Sequence, residues 1–187
     1  MVIVFRMGSL TIELPPHQEQ TVVNLCRWAE LLDNREHARY EGRVETDRHG
    51  HVVLGAIPPV WHGMYEAEVG ILLHSQMRSG TVMTVCPIST ADGVKTADVA
   101  WTSPERMQEL GDGVCFRRAP EICVEILSPG NTPAEVREKT ALYFDAGANE
   151  VWHCSISGAM TFLAAGQTEP LRVSRLCPEC PAQIELR

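Results

Sequence analysis

Glu121-Ile-Cys-Val-Glu125-Ile-Leu127, closed by Ser128-Pro129-Gly130 and followed by Asn131-Thr132-Pro133, is the stretch whose reading decides the fold. A short, mostly apolar, β-rich run ended by turn residues describes a central strand buried on both faces. Thr132 can cap a following helix with Pro133 at its first position; Val136, Thr140 and Tyr143 lie along one face, and Gly147 suits its C-terminal end. Glu150 to Ile156 and Ala159 to Ala164 then alternate about Ser157-Gly158, the pattern of two strands joined by a tight turn. The helix therefore carries the chain across from the Glu121–Leu127 strand to the Glu150–Ile156 strand.

Outward from this unit, Gln18 to Leu32 has Val22, Leu25, Cys26, Ala29 and Leu32 at helical spacing, which predicts an amphipathic helix with that stripe in the core. After a polar stretch from Asn34 to Glu41, Arg43 to Ile57 reads as a hairpin turning at His49-Gly50 before Val52-Val53-Leu54. Met64 to Met77, with Tyr65, Val69, Leu72 and Leu73 on one face, predicts a second helix; Thr81 to Cys86, Ala97 to Thr102 and Leu171 to Leu176 predict strands. The order of helix, several strands, helix and strands predicts an α/β fold of the mixed α+β kind, a mixed sheet flanked by helices. At 187 residues with 44% hydrophobic content and no repeat or linker, the chain is expected to form one domain over residues 1–187.

The formal net charge of −8 repels a phosphate backbone at long range and excludes a general, charge-driven DNA-coating protein. A nuclease is compatible with it where acidic residues converge on divalent cations, because bound metal reverses the local field. The seven cysteines form an odd, scattered set in apolar surroundings, expected to be reduced core residues. Cys177-Pro-Glu-Cys180 alone has metal-ligand spacing and lacks the further ligands of a tetrahedral zinc site, so it reads as a C-terminal turn. Short apolar runs and the absence of a basic start followed by a hydrophobic segment predict a soluble, cytoplasmic protein with no membrane partner.

Glu125 sits in an otherwise apolar strand, where an unpaired carboxylate meets a large desolvation cost. It needs either an ion-pair partner such as Arg137 or a metal ion. Asp98, in the apolar setting Ala97-Asp98-Val99-Ala100-Trp101, repeats the argument independently. Two carboxylates on neighbouring strands repel unless a cation or proton lies between them, and a hard divalent ion prefers such oxygens. Lys139, three residues after Val136 and four before Tyr143, either runs along its helix to solvent or delivers its charge to these acids.

Glu45-Thr-Asp-Arg-His-Gly50-His-Val-Val53, then Ala97-Asp98-Val-Ala-Trp101, then Glu121-Ile-Cys-Val-Glu125-Ile-Leu-Ser-Pro129 with Lys139, Tyr143 and Gly147, resembles the Uma-type restriction endonucleases. These belong to the PD-(D/E)XK nuclease superfamily, and the likeness covers roughly residues 18 to 165, judged by motif order. The resemblance implies a restriction-endonuclease-like fold, with Asp98 and Glu125 as metal ligands, Glu45 as an accessory acid of the metal shell and Lys139 as the catalytic lysine. It also implies Mg²⁺ or Mn²⁺ as cofactor and nucleic acid, DNA before RNA, as the partner; a homodimer stays open. The expected activity is metal-dependent phosphodiester hydrolysis, against the alternative of a catalytically silent nuclease-fold module that binds nucleic acid or protein. Ala97 stands where the family usually has proline, and Leu127 where the wider superfamily has its lysine, so the lysine must come from the helix. Trp152-His153-Cys154-Ser155 replaces a strand that more usually ends in aspartate.

Overall fold

The computed structural model describes residues 4–7, 10–34, 43–55 and 57–186, with backbone only for 4–7 and 10–13. Residues 35–42, most of the polar stretch expected after the first helix, lie outside the described residues. Two hairpins, β1 (Val4–Met7) with β2 (Leu10–Glu13) and β3 (Val44–Thr46) with β4 (Val52–Leu54), accompany a five-stranded mixed sheet. That sheet runs in the order β5 (Thr81–Thr90), β6 (Gly93–Thr102), β7 (Ile122–Ile126), β8 (Glu150–Cys154) and β9 (Met160–Ala164). Only β7 and β8 are parallel, joined by α4 (Pro133–Asp145) as the sequence predicts. Thr132 caps α4 in a full capping box with Glu135, satisfying two amides that the first turn otherwise leaves unpaired.

One face of the sheet, with Val99, Trp101, Ile122, Val124 and Trp152, packs on Tyr65, Val69 and Leu73 of α2 (Val60–Gln76) and on Cys177, Cys180 and Ile184 near the C-terminus. Each fully buried aliphatic such as Val69 or Leu73 contributes about 1.5–3 kcal/mol. The other face, with Ala100, Cys123 and Val151, packs on Tyr143 and Ala146 at the end of α4. Side chains alternate along a strand, so Glu125, two residues from Cys123, projects on this α4 face.

The first helix, α1 (His17–Asp33), corrects an expectation. Val22 and Leu32 of the predicted core stripe are 65% and 59% exposed, while Gln20, Asn24, Trp28 and Leu31 are buried. Hydrogen bonding decides the face: Asn24 donates to Ser89 Oγ and to the carbonyls of Thr90 and Gly93, and Gln20 donates to the Arg48 carbonyl. Three further differences are local. β5 and β6 form one long hairpin where two separate short strands were expected. A short helix, α3 (Pro104–Leu110), follows the Ser103 cap unforeseen. Leu171 to Leu176 makes no strand, only a single bridge from Leu171 to Phe162, because the amides of Arg175 and Leu176 turn in to the Glu150 carboxylate. Among the described residues no helix is long and apolar enough to cross a membrane.

Candidate active site

Asp98 and Glu125 stand on adjacent antiparallel strands, one step beyond the paired Val99 and Val124. Asp98 is 1% exposed, and its Oδ2 accepts from the Ile126 amide at 2.7 Å. The β5–β6 ladder pairs Thr84 with Val99 and Cys86 with Ala97 but has no pair between Val85 and Asp98. Val85 there has φ +53°, a left-handed conformation that costs a β-branched residue about 1–3 kcal/mol. The ladder is thus broken beside Asp98, at the wall of a cleft of about 500 Å³. Arg43, His62, Glu66, Asp98 and the Ser128–Asn131 turn line that cleft.

Glu125 is 8% exposed; Tyr143 donates to its Oε1 at 2.8 Å and Lys139 to its Oε2 at 3.1 Å. Arg137, the ion-pair partner the sequence left open, is exposed. Nor does Lys139 run to solvent: its Nζ also meets the Thr96 carbonyl at 3.0 Å and Glu45 Oε1 at 2.8 Å. Glu45 arrives on β3, where its Oε1 accepts from the Thr96 amide at 3.0 Å. Gly93 (φ +83°) lets this hairpin seat itself, since a Cβ there would collide with the Thr46 and Asp47 carbonyls. Burial pushes the Glu45 carboxyl up, but the Lys139 charge and hydrogen bond, with the Thr96 amide, outweigh it and hold the group below its ordinary range.

Sequence reasoning missed three residues of this site. Arg43 pairs with Asp98 and, at 3.4 Å, with Glu125, placing one guanidinium between the two carboxylates. His62 and Glu66 come from α2, which starts at Val60 and not at Met64 as expected, so His62 falls in its first turn. Pro58-Pro59 was the available signal, since proline favours a helix start. His62 Nε2 lies 3.6 Å from Asp98 Oδ2, and its Nδ1 lies 3.4 Å from Glu66 Oε1. Burial, then the Arg43 charge, lowers the His62 pKa; burial raises that of Glu66.

Glu45, Glu66, Asp98 and Glu125 thus set four carboxylates against the two cations Arg43 and Lys139, an excess of two negative charges. That excess, the oxygen donors and an imidazole nitrogen fit one divalent cation. Among the described residues, the ligand atoms of His62, Glu66 and Asp98 lie within 4.8 Å of one another, a grouping that includes neither Glu125 nor Glu45. Each carboxylate oxygen has two lone pairs, so Glu125 Oε1 keeps acceptor capacity beside its Tyr143 bond. Elsewhere, His153 Nε2 lies 3.0 Å from Thr140 Oγ1, and Cys177 and Cys180 are buried in the core at a turn closed by the Cys180 amide on the Cys177 carbonyl.

A family model described as "Uma2: Putative restriction endonuclease" matches residues 28–163. The fold is similar to that of a crystal structure described as "a putative nuclease belonging to DUF820" from Anabaena variabilis, with a TM-score of 0.67 and 17% identity over 83% of this chain and 93% of that one. No curated protein matches.

Proposed function

The chain belongs to the Uma2 family, and from that premise we propose that it is a divalent-metal-dependent endonuclease that hydrolyses phosphodiester bonds in DNA. Asp98 and Glu125 would hold Mg²⁺ or Mn²⁺, with Glu45 completing the shell or holding a water. When bound, the ion polarises the phosphate and lowers the cost of forming hydroxide. Lys139 orients the attacking water and offsets the charge that develops on the phosphate, its ammonium being fixed beside Glu125 by Glu45 and Thr96. Tyr143 holds Glu125 and the Ile126 amide holds Asp98, so both carboxylates are oriented before substrate arrives. The net charge of −8 confines productive DNA contact to a small face around the cleft.

The observation that carries this reading is Lys139, which reaches from α4 to Glu125 and Glu45 in a site whose carboxylates outnumber its cations. Lys139→Met keeps most of the apolar stem and removes the ammonium. It is expected to lower cleavage of plasmid DNA on the order of a hundredfold or more at saturating Mg²⁺, with Mg²⁺ affinity retained. Equal cleavage by parent and variant would reject the role of Lys139.

One observation favours the second reading, a catalytically silent nuclease-fold binder: the Arg43 guanidinium already bridges Asp98 and Glu125 as an internal cation. Calorimetric titration with Mg²⁺ separates the two. The endonuclease takes up the ion through its carboxylates, and the silent binder does not.

A further inference from the structure

We infer that His62, Glu66 and Asp98 form a binding site for a divalent transition-metal ion, with ligand chemistry unlike that of the all-oxygen pair Asp98 and Glu125. The inference shares Asp98 with the nuclease reading and does not depend on catalysis. His62 and Glu66 are four residues apart on α2 and so lie on one face of the helix, while Asp98 rises from β6 to meet them. Their ligand atoms all lie within 4.8 Å of one another. Around an octahedral ion with bonds of about 2.1 Å, ligands stand about 3 Å apart when adjacent and about 4.2 Å when opposite. Small side-chain rotations therefore bring the three donors into range.

A second observation, independent of this clustering, points to a ligand. His62 is 5% exposed, and its Nδ1 makes no hydrogen bond. A buried polar nitrogen without a partner costs about 1–3 kcal/mol, and such an atom in a native fold calls for a physical reason. Glu66 Oε1 stands 3.4 Å from this Nδ1 without hydrogen-bonding it, and Asp98 Oδ2 stands 3.6 Å from Nε2, both near enough to attract a cation. The ring is buried, and its uncharged form is the one that coordinates metal. All three residues open on the cleft, whose volume admits the waters that complete a coordination shell. An imidazole nitrogen in the set favours Mn²⁺ and later first-row ions over Mg²⁺, which prefers oxygen.

The test uses the full chain and Mn²⁺ alone, read by pulsed electron paramagnetic resonance for ¹⁴N coupling from a directly bound imidazole. The parent is expected to show such coupling and to keep it in a tenfold excess of Mg²⁺, and His62→Gln to lose it. Glu66→Gln, at a half-buried position less exposed to folding failure, should weaken Mn²⁺ binding tenfold or more. Absence of ¹⁴N coupling in the parent, the same coupling in His62→Gln, or unchanged affinity in Glu66→Gln overturns the inference. Glu125→Gln keeps the nitrogen-coupled ion whether or not it cleaves DNA. If the nuclease reading fails, this signal therefore remains, whereas cleavage without ¹⁴N coupling removes the inference alone.

Discussion

Glu125 and Glu150 are two acids buried in neighbouring parallel strands of one sheet, and they are held in opposite ways. Glu150, 1% exposed, pairs in register with Ile122 on the α2 face. Its carboxylate accepts from four neutral donors: Trp152 Nε1 at 2.8 Å, Ser174 Oγ at 2.7 Å, the Arg175 amide at 2.8 Å and the Leu176 amide at 3.1 Å. No cation touches it among the described residues. Glu125, on the α4 face, is held by two cations and a phenol, and its neighbour Ile126 lines an open cleft. An acid saturated by rigid, uncharged donors is an anchor for the chain. An acid sharing its charged partners with two other carboxylates, Asp98 and Glu45, is a group whose charge can be used. Burial alone does not tell them apart; the kind of partner does.

The comparison breaks first at Glu150. Glu150→Ala strands two buried and two part-buried donors, each worth about 1–3 kcal/mol if buried and unsatisfied, so after partial relaxation and hydration a loss of about 3–5 kcal/mol is expected. For a chain of this size that lowers Tm by roughly 10 °C or more in a thermal melt. Cleavage per folded molecule should be unchanged. A variant as stable as the parent would show that the C-terminal segment does not depend on this anchor.

Tyr143→Phe sharpens the other side. It removes the donor to Glu125 Oε1 while keeping the buried ring, so cleavage should fall about tenfold, with stability lowered by about 1 kcal/mol. A rate equal to the parent's would mean that Lys139 alone orients the carboxylate.

The smallest effect is at Glu66, whose folded pKa is raised by burial. A raised carboxyl destabilises the fold when ionised, fully above that pKa and not at all below the unfolded value of 4.5. Glu66→Gln should therefore raise metal-free stability slightly at neutral pH and lose the advantage at acid pH. A destabilised variant at neutral pH would show that the Glu66 charge is compensated without metal.

The unit from β7 to α4 was legible because its signals are local: an apolar run, a turn, a cap and a proline in sequence order. Asp98, Glu125 and Lys139 were legible as misfits, a carboxylate in each apolar strand and a lysine near the core side of a helix. Arg43, His62 and Glu66 were not, because they come from elements whose placement on the sheet is set by long-range contact. His62 was further hidden by a helix start read four residues late. The buried face of α1 escaped for a related reason. Asn24 and Gln20 are drawn inward by carbonyls 28 to 69 residues away, and periodicity of apolar residues carries no trace of that. Glu150 shows the limit of the misfit argument: it too is an acid in an apolar strand, and its neutral partners lie in a segment read as a strand.

The most direct measurement is Mg²⁺-dependent cleavage of supercoiled DNA by Glu125→Gln beside the parent. The amide keeps the shape of the side chain and the Tyr143 contact but removes the charge that, on this account, attracts a hard cation. The account predicts a variant whose stability is within about 1 kcal/mol of the parent and whose cleavage is lower on the order of a thousandfold, a loss of about 4 kcal/mol of transition-state stabilisation. A folded Glu125→Gln protein that cleaves within tenfold of the parent would contradict it, and would place Glu125 with Glu150 among the structural acids.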